Sequence, residues 1–345
     1  MDKKHILAIR FSAVGDAAIA VPVLRAVIQQ NPGIKVSVAT QAFLKPVFET
    51  VEGVVVLPAE IRTNHKGIKG LYRFYTEIKT RDFDAIADLH GSLRSRIIKL
   101  FFLLSGVGSK TIDKGRSEKR ALVSGKQFKP LKSSTERYAD VFRSLGLKVD
   151  LTKDVFPPKQ TLAPEIHNLL GTGTKPWIGI APFAFHDTKM YPLDLMEKVI
   201  ETLSNSGDYQ LILFGGKKEL PELELLSNSY PNTIYTFGKI SFEQEIKLIS
   251  NLDLMVSMDS GNAHLAAMQG VKVLTLWGVT HPYAGFYPYK QAESNSLVSD
   301  RKQYPLIPTS VYGNKAPESY KDVMRTIPVE AVIEKIKTLT KNQSL

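Results

Sequence analysis

Two α/β domains, each a doubly wound parallel sheet, are the fold class that this sequence predicts. Three observations predict it. Short Val- and Ile-rich runs alternate with segments of helical period from the first residues onward. A cluster of Pro, Gly and Thr at 150–175, including DVFPPKQTLAPE and GTGTKP, breaks both periods, and the alternation restarts beyond it. The chain is 345 residues long, too long for one ordinary core and suited to two domains.

Taken in order, residues 5–11 read as the first strand and 18–30 as its helix. Strands follow at 35–40, 54–58 and 85–90, with helices at 68–79, 93–104 and 135–145. The apolar run 97–104 reads as a core helix rather than a membrane anchor. The N-terminal domain is placed at 1–155, a linker at 156–175 and the C-terminal domain at 176–345. Strands in the second half read at 177–181, 211–214, 234–237, 254–258 and 271–277. The polar, Pro-containing stretch 300–328 reads as surface loop. Val329, Val332, Ile333, Ile336 and Leu339 then recur at helical spacing, giving a terminal amphipathic helix.

Hydrophobic residues make up 43% and charged residues 23%, which excludes disordered and fibrous classes. Cysteine is absent, so neither a disulfide frame nor a thiolate metal site exists, and a reducing cytoplasm is compatible with that. No run reaches the roughly 20 apolar residues of a membrane span, so any membrane contact is expected to be peripheral. The formal net charge is +11, which favours polyanionic partners: nucleic acid, acidic lipid or phosphorylated sugar.

In doubly wound sheets ligands meet the loops just after strands. Neither half contains G-x-G-x-x-G or G-x-x-x-x-G-K-[ST], so the nicotinamide fingerprint and the phosphate-binding loop of kinases are missing. After the first strand comes Phe11-Ser12-Ala13-Val14-Gly15-Asp16. Gly15 allows a tight turn, and Asp16 either accepts a proton from a substrate hydroxyl or caps the following helix.

A second loop, Asp259-Ser260-Gly261-Asn262-Ala263-His264, runs from a strand into a helix start, where free amides and a partial positive charge suit a diphosphate. The alternative there is capping by Asp259 and Ser260 with His264 packed beneath. The loop APFAFHDTKMYP supplies Thr188 and Lys189 for phosphate oxygens, and FGGKKE supplies Glu219 for ribose hydroxyls. Each of the last two charges alone also fits a solvated surface role.

Between Arg94 and Lys132 eleven basic residues face only Asp113 and Glu118. A stripe this one-sided suggests an anionic acceptor or membrane surface facing the first half, against the usual solvated face of mixed sign.

Together these loops resemble the ADP-heptose:lipopolysaccharide heptosyltransferases, glycosyltransferase family 9, over nearly the whole chain. ILAIRFSAVGDAAIAVPVLRAV resembles that family's strand, Ser-x-x-Gly-Asp loop and helix, whose Asp acts as general base; the role carries to Asp16, with Ser12 and Gly15 on the acceptor side. TKMYP resembles a Lys-x-Trp-Pro element and implies a phosphate-binding Lys189, with Tyr191 replacing Trp. FGGKKE is similar to the family's ribose-binding segment, implying Glu219. MDSGNAHLAAMQGVKVLTLWG is similar to its most specific signature and implies donor contacts from Asp259, Ser260, Gly261, Asn262 and His264. DLHGSLRS and GRSEKRAL resemble acceptor-side segments and imply Arg94, Arg116 and Arg120.

The resemblance implies the GT-B arrangement, with an acceptor domain first, a donor domain second, a cleft between them and the last helix crossing back onto the first domain. It implies an inverting transfer of heptose from ADP-heptose to an anionic, lipid-linked core acceptor without a metal or other cofactor. A monomer in the cytoplasm at the inner-membrane face is expected, with no nucleic-acid partner. Two rivals remain: a metal-dependent transferase using Asp82-Phe83-Asp84, which precedes a strand instead of following one, and a non-catalytic binder of nucleic acid or anionic glycan built on the basic stripe.

Overall fold

The computed structural model describes residues 4–171 and 173–341. The chain divides into two compact units. The first takes the chain up to Lys114 and again over Lys132–Val155; the second takes Gly115–Leu131 and the described residues after Val155. A segment that the sequence places in the first half is thus built into the second unit.

In chain order the elements of the first unit are β1 (His5–Ile9), α1 (Val14–Gln30), β2 (Lys35–Gln41), α2 (Lys45–Phe48), β3 (Val54–Ala59), α3 (Gly67–Ile78), β4 (Ala85–Asp88), α4 (Leu93–Leu104) and β5 (Gly108–Thr111). Next come α5 (Arg116–Val123), which belongs to the second unit, and α6 (Ser134–Arg143), which belongs to the first. The first sheet is parallel in the order β3-β2-β1-β4-β5. Ile6, Leu7, Ala8 and Ile9 are all buried, as strands covered on both faces require. Leu7, Ile9 and Ile86 share one core with Phe74 of α3 and Ile98 and Phe102 of α4. Elsewhere α1 packs on α6, and the buried Arg25–Asp154 pair, with both nitrogen–oxygen contacts at 2.6 Å, ties α1 to the end of this unit. Such a pair is tolerated in the interior because each charge is matched by a bidentate partner.

The second unit continues with α7 (Pro164–Leu170), β6 (Trp177–Ala181), α8 (Leu193–Ser206), β7 (Gln210–Leu213), α9 (Leu220–Ser229) and β8 (Thr233–Tyr235). It ends with α10 (Phe242–Ile249), β9 (Leu254–Met258), α11 (Gly261–Met268), β10 (Lys272–Trp277), β11 (Ser296–Val298) and α12 (Val329–Lys341). Its sheet is also parallel, in the order β11-β10-β9-β6-β7-β8. Both units are therefore doubly wound α/β, as the sequence predicts.

Three expectations are corrected. The stretch expected as linker contains α7, started by Pro164 in the first turn, where a missing amide costs nothing. Residues 300–328 are largely irregular, yet Ile307, Tyr320, Val323, Met324 and Ile327 are buried in the second core. The last helix also places Val332, Ile333 and Ile336 in that same core, against α8, β9 and β10. Finally, α4 is only half a core helix. Ser95, Ile98 and Phe102 are buried, but Leu93, Leu100, Leu103 and Leu104 are exposed.

Candidate functional site

In each sheet the chain leaves one central strand, winds outward on one side and then crosses to the other. The switch falls between β1 and β4 in the first unit and between β6 and β9 in the second. Adjacent strands there send their following loops in opposite directions, which opens a crevice at their carboxyl ends. Ser12, Gly15 and Asp16 follow β1, and Thr188, Lys189 and Asp259–His264 follow β6 and β9, whereas Glu219 follows β7 and Arg94, Arg116 and Arg120 lie on helices.

In the first unit Ala13, not Asp16, takes the N-cap of α1, and no side chain caps it. Asp16 lies in the first turn with its carboxylate free for other work, so the capping alternative fails. Its Oδ2 is ion-paired with Nη2 of Arg10, and the Tyr138 hydroxyl donates to Oδ1 at 3.4 Å. Arg10 is anchored in turn, because its Nη1 donates to the Leu89 carbonyl at 2.8 Å and its guanidinium lies 5.8 Å from the Tyr138 ring centroid. The Asp16 side chain keeps 32% of its surface exposed against 8% for Arg10, so one reactive face stays open while the other is held. Ser12 and Gly15 are half-buried beside it.

From β4, Asp88 turns the chain: its Oδ1 accepts the amides of His90 at 3.0 Å and Gly91 at 2.8 Å, and its Oδ2 pairs with Lys99 at 3.1 Å. This is why β4 stops at Asp88 and not at residue 90. The Phe11 amide donates to His90 Nδ1 at 3.1 Å, which leaves the ring proton on Nε2. Burial, helped by Arg10 and Lys114, pushes the His90 pKa down to about 4, so a neutral imidazole faces the Asp16 region at neutral pH. Arg10, Tyr138 and His90 were missed in the sequence. The one signal was a lone arginine closing an otherwise apolar strand.

Arg94 is exposed at the start of α4 in this unit, while Arg116 and Arg120 are exposed on α5 of the second. The three do not form one cluster within a unit. The basic stripe is dispersed in other ways as well. Lys99 is spent on Asp88, Lys132 on Asp140 at 2.6 Å, and Lys119 is buried with its Nζ 4.1 Å from the Phe286 ring centroid.

In the second unit, Lys189 ends a single turn, Asp187–Lys189, after β6, and Asp259 follows β9. Lys189 Nζ meets Asp259 Oδ2 at 3.1 Å, with side chains 13% and 8% exposed. Beside them α11 begins at Gly261 with Ser260 as N-cap, and no side chain caps it. The Ser260 hydroxyl instead lies 3.0 Å from Ser257 Oγ. An uncapped helix start next to a lysine presents free amides and positive charge, the chemistry that attracts an anion. Gly261 and Asn262 are partly exposed there, while His264 is buried.

Two glycines hold the lysine turn in place. A Cβ at Gly278 would sit 2.4 Å from the Thr188 carbonyl oxygen, and one at Gly313 would sit 2.5 Å from both Cγ and Cδ of Lys189. Thr188 Oγ1 donates to the Gly313 carbonyl, so its hydroxyl shapes the turn. Tyr191, which stands where the family pattern has Trp, is fully buried and donates its hydroxyl to the Ile327 carbonyl at 2.8 Å; burial pushes its pKa up to about 12.

Glu219 Oε2 accepts the Gly216 amide at 2.9 Å, closing the turn after β7. After β8, Thr236 donates to Glu245 Oε2 at 2.9 Å, and burial pushes the Glu245 carboxyl up to about 7 from an ordinary 4.5. The folded state thus keeps this proton to higher pH than the unfolded chain does. The associated stability is complete below the unfolded value and is lost as pH rises through the folded one. Glu245→Gln should therefore lose less Tm than the parent between about pH 5 and pH 8. Equal slopes in thermal melts would show that Glu245 titrates normally.

Asp82-Phe83-Asp84 lies at the opposite, amino-terminal edge of the first sheet. Asp84 Oδ2 accepts the His5 amide at 2.6 Å at the start of β1. The cavity of about 460 Å³ lined by Lys79, Asp82, Phe83 and Asp84 is at that edge too, at the opposite end of the sheet from the β1/β4 switch point.

Comparison with known proteins agrees with this layout. The lipopolysaccharide core heptosyltransferase OpsX of Haemophilus influenzae is 24% identical to the chain, over 97% of each. Among solved structures, the E. coli ADP-heptose lipopolysaccharide heptosyltransferase II superposes with a TM-score of 0.72 at 19% identity, over 99% of this chain and 100% of that one. The E. coli heptosyltransferase WaaC with ADP gives 0.69 at 20% identity, over 97% and 99%. The family model described as glycosyltransferase family 9 (heptosyltransferase) matches residues 71–313, which include Lys189, Glu219 and the whole Asp259–His264 loop. The chain belongs to glycosyltransferase family 9, the heptosyltransferases.

Proposed function

We propose that the enzyme transfers heptose with inversion from ADP-heptose to an anionic, lipid-linked lipopolysaccharide-core acceptor, without a metal. The observation that carries this reading is the Lys189–Asp259 pair beside the uncapped start of α11 at the β6/β9 switch point. Lys189 and the first amides of α11 supply the positive charge that a departing diphosphate needs, which is the service a divalent ion performs elsewhere. Asp259 orients the lysine, and Glu219 together with the Gly215–Gly216 turn receives the ribose.

On the first unit Asp16 accepts the proton of the acceptor hydroxyl as that oxygen forms its bond to the anomeric carbon. The anomeric carbon–phosphate oxygen bond breaks, and its electron pair leaves on ADP. Arg10 and Tyr138 fix the carboxylate's orientation. Arg94, Arg116 and Arg120 are the acceptor-side cations, and the acceptor's lipid brings the enzyme, as a monomer, to the cytoplasmic face of the inner membrane. Among relatives, one solved structure is of WaaC with ADP and another is of WaaC with ADP-2-deoxy-2-fluoro heptose, which supports an ADP-linked donor here.

Thermal-shift screening of ADP-, UDP- and GDP-sugars, followed by product mass on a truncated core oligosaccharide, tests the reading. Stabilisation by ADP-heptose alone, and one heptose added with the rate unchanged by EDTA, are expected. Loss of turnover in EDTA would overturn the metal-free scheme, and preference for a UDP- or GDP-sugar would overturn the donor.

A further inference from the structure

The outer side of the α3–α4 pair is built unlike the rest of the surface. In α4 the residues facing inward are Ser95, Ile98 and Phe102. Diametrically opposite, at spacings of seven and four, come Leu93, Leu100 and Leu104, which are 73%, 52% and 79% exposed. A helix apolar on both sides needs a second apolar medium as well as a core. The stripe broadens sideways, because Leu103 is 61% exposed next to it. On α3, Tyr72 meets Phe101 edge-on with ring centroids 5.3 Å apart, and Ile68 is 66% exposed a turn away.

Charge surrounds this patch with one sign. Lys69 and Arg73 on α3 and Arg94 and Arg96 on α4 are all exposed. No carboxylate occurs in α4, and the one in α3, Glu77, lies 3.2 Å from His65. We propose that this face docks the enzyme onto an anionic lipid bilayer, with the leucines entering the acyl boundary and the four cations meeting headgroup phosphates. The choice of partner rests on the reading of a lipid-linked acceptor.

A lipid surface fits better than a protein partner. Exposed Leu ringed by Lys and Arg is the composition of interfacial helices, whereas protein interfaces deplete lysine. The twelve residues of α4 lie along the surface, since no helix among the described residues is long and apolar enough to cross a membrane. Leucine burial and headgroup attraction act together, which is what reversible anchoring requires.

Flotation of the full-length protein with vesicles of phosphatidylglycerol and phosphatidylethanolamine tests this, with phosphatidylcholine vesicles as the comparison. The protein is expected to float with the anionic vesicles, and less so as salt is raised. Leu100→Asp/Leu104→Asp should weaken binding by about tenfold or more, and Lys69→Ser/Arg96→Ser by about tenfold at low salt. Because all four side chains are exposed or at the patch rim, both variants should melt like the parent and keep its turnover on an acceptor stripped of acyl chains. Unchanged flotation of both variants would overturn the proposal. So would light scattering that shows a dimer dissociated by the leucine substitutions with vesicle binding intact, since a second copy would then cover the face. Failure of the transfer reading registers separately, as absence of heptosyl product on the lipid-free acceptor in every protein, whatever the vesicles do.

Discussion

Asp16→Asn is expected to lower kcat by about 10²- to 10⁴-fold while leaving ADP affinity unchanged. The side chain lies in the first turn of α1, uncommitted to capping, about one-third open to solvent and gripped on one side by Arg10 and Tyr138. Asparagine preserves the shape and the contact with the Tyr138 hydroxyl but cannot take a proton. The substitution also leaves the buried Arg10 without its counter-charge, which costs stability, so melting temperature must be read beside rate. Tyr138→Phe is the internal comparison: it removes the 3.4 Å hydrogen bond to Asp16 while keeping the ring, and should retain most of the activity. The residues proposed to hold the donor belong to the other unit, so calorimetric ADP binding by Asp16→Asn should match the parent. Full transfer by that variant would end the base assignment.

The alternation of apolar runs with helical segments made both sheets legible, because central parallel strands are buried on both faces and must read as continuous Val/Ile/Leu runs. Two edge strands escaped for the same reason, while β3 and β8, also at sheet edges, were legible. β5, of sequence GSKT, is exposed at every residue, and β11 spans just three residues inside a polar stretch. Residues 300–328 show how an irregular segment can be core: single apolar side chains such as Met324 and Ile327 reach inward from turns, leaving no period to detect. α4 misled in the opposite sense, since periodicity cannot distinguish a leucine that faces a core from one that faces outward. At the site, the loop sequences located Asp16, Lys189 and Asp259 because strand-end loops carry ligand chemistry. Asp16 pairs with nearby Arg10, but the Tyr138 hydroxyl on it comes from 122 positions away, Arg10 is anchored on Leu89 79 positions away, and Lys189 meets Asp259 70 positions away, contacts that no local pattern encodes.

Lys189→Met is expected to reduce kcat/KM for the donor by about 10²- to 10³-fold, the usual consequence of removing one fixed charge from the place where negative charge develops. Methionine retains most of the stem that runs past Gly313, so the loss reports on the ammonium group and not on packing. It also strands Asp259, which is 8% exposed, next to the proposed diphosphate position, and the like-charge repulsion adds to the deficit. Lys189→Met/Asp259→Asn should therefore recover part of the lost ADP affinity, whereas Asp259→Asn alone should cost less than Lys189→Met. Gly313→Ala separates position from charge. The backbone there has φ of +79°, and the new methyl carbon would fall 2.5 Å from Cγ and Cδ of Lys189, so the lysine must move while staying charged. If placement of the ammonium is what matters, Gly313→Ala will resemble Lys189→Met in donor kinetics despite its intact lysine. Donor kcat/KM within twofold of the parent in Lys189→Met would mean that the diphosphate is held elsewhere on the second unit.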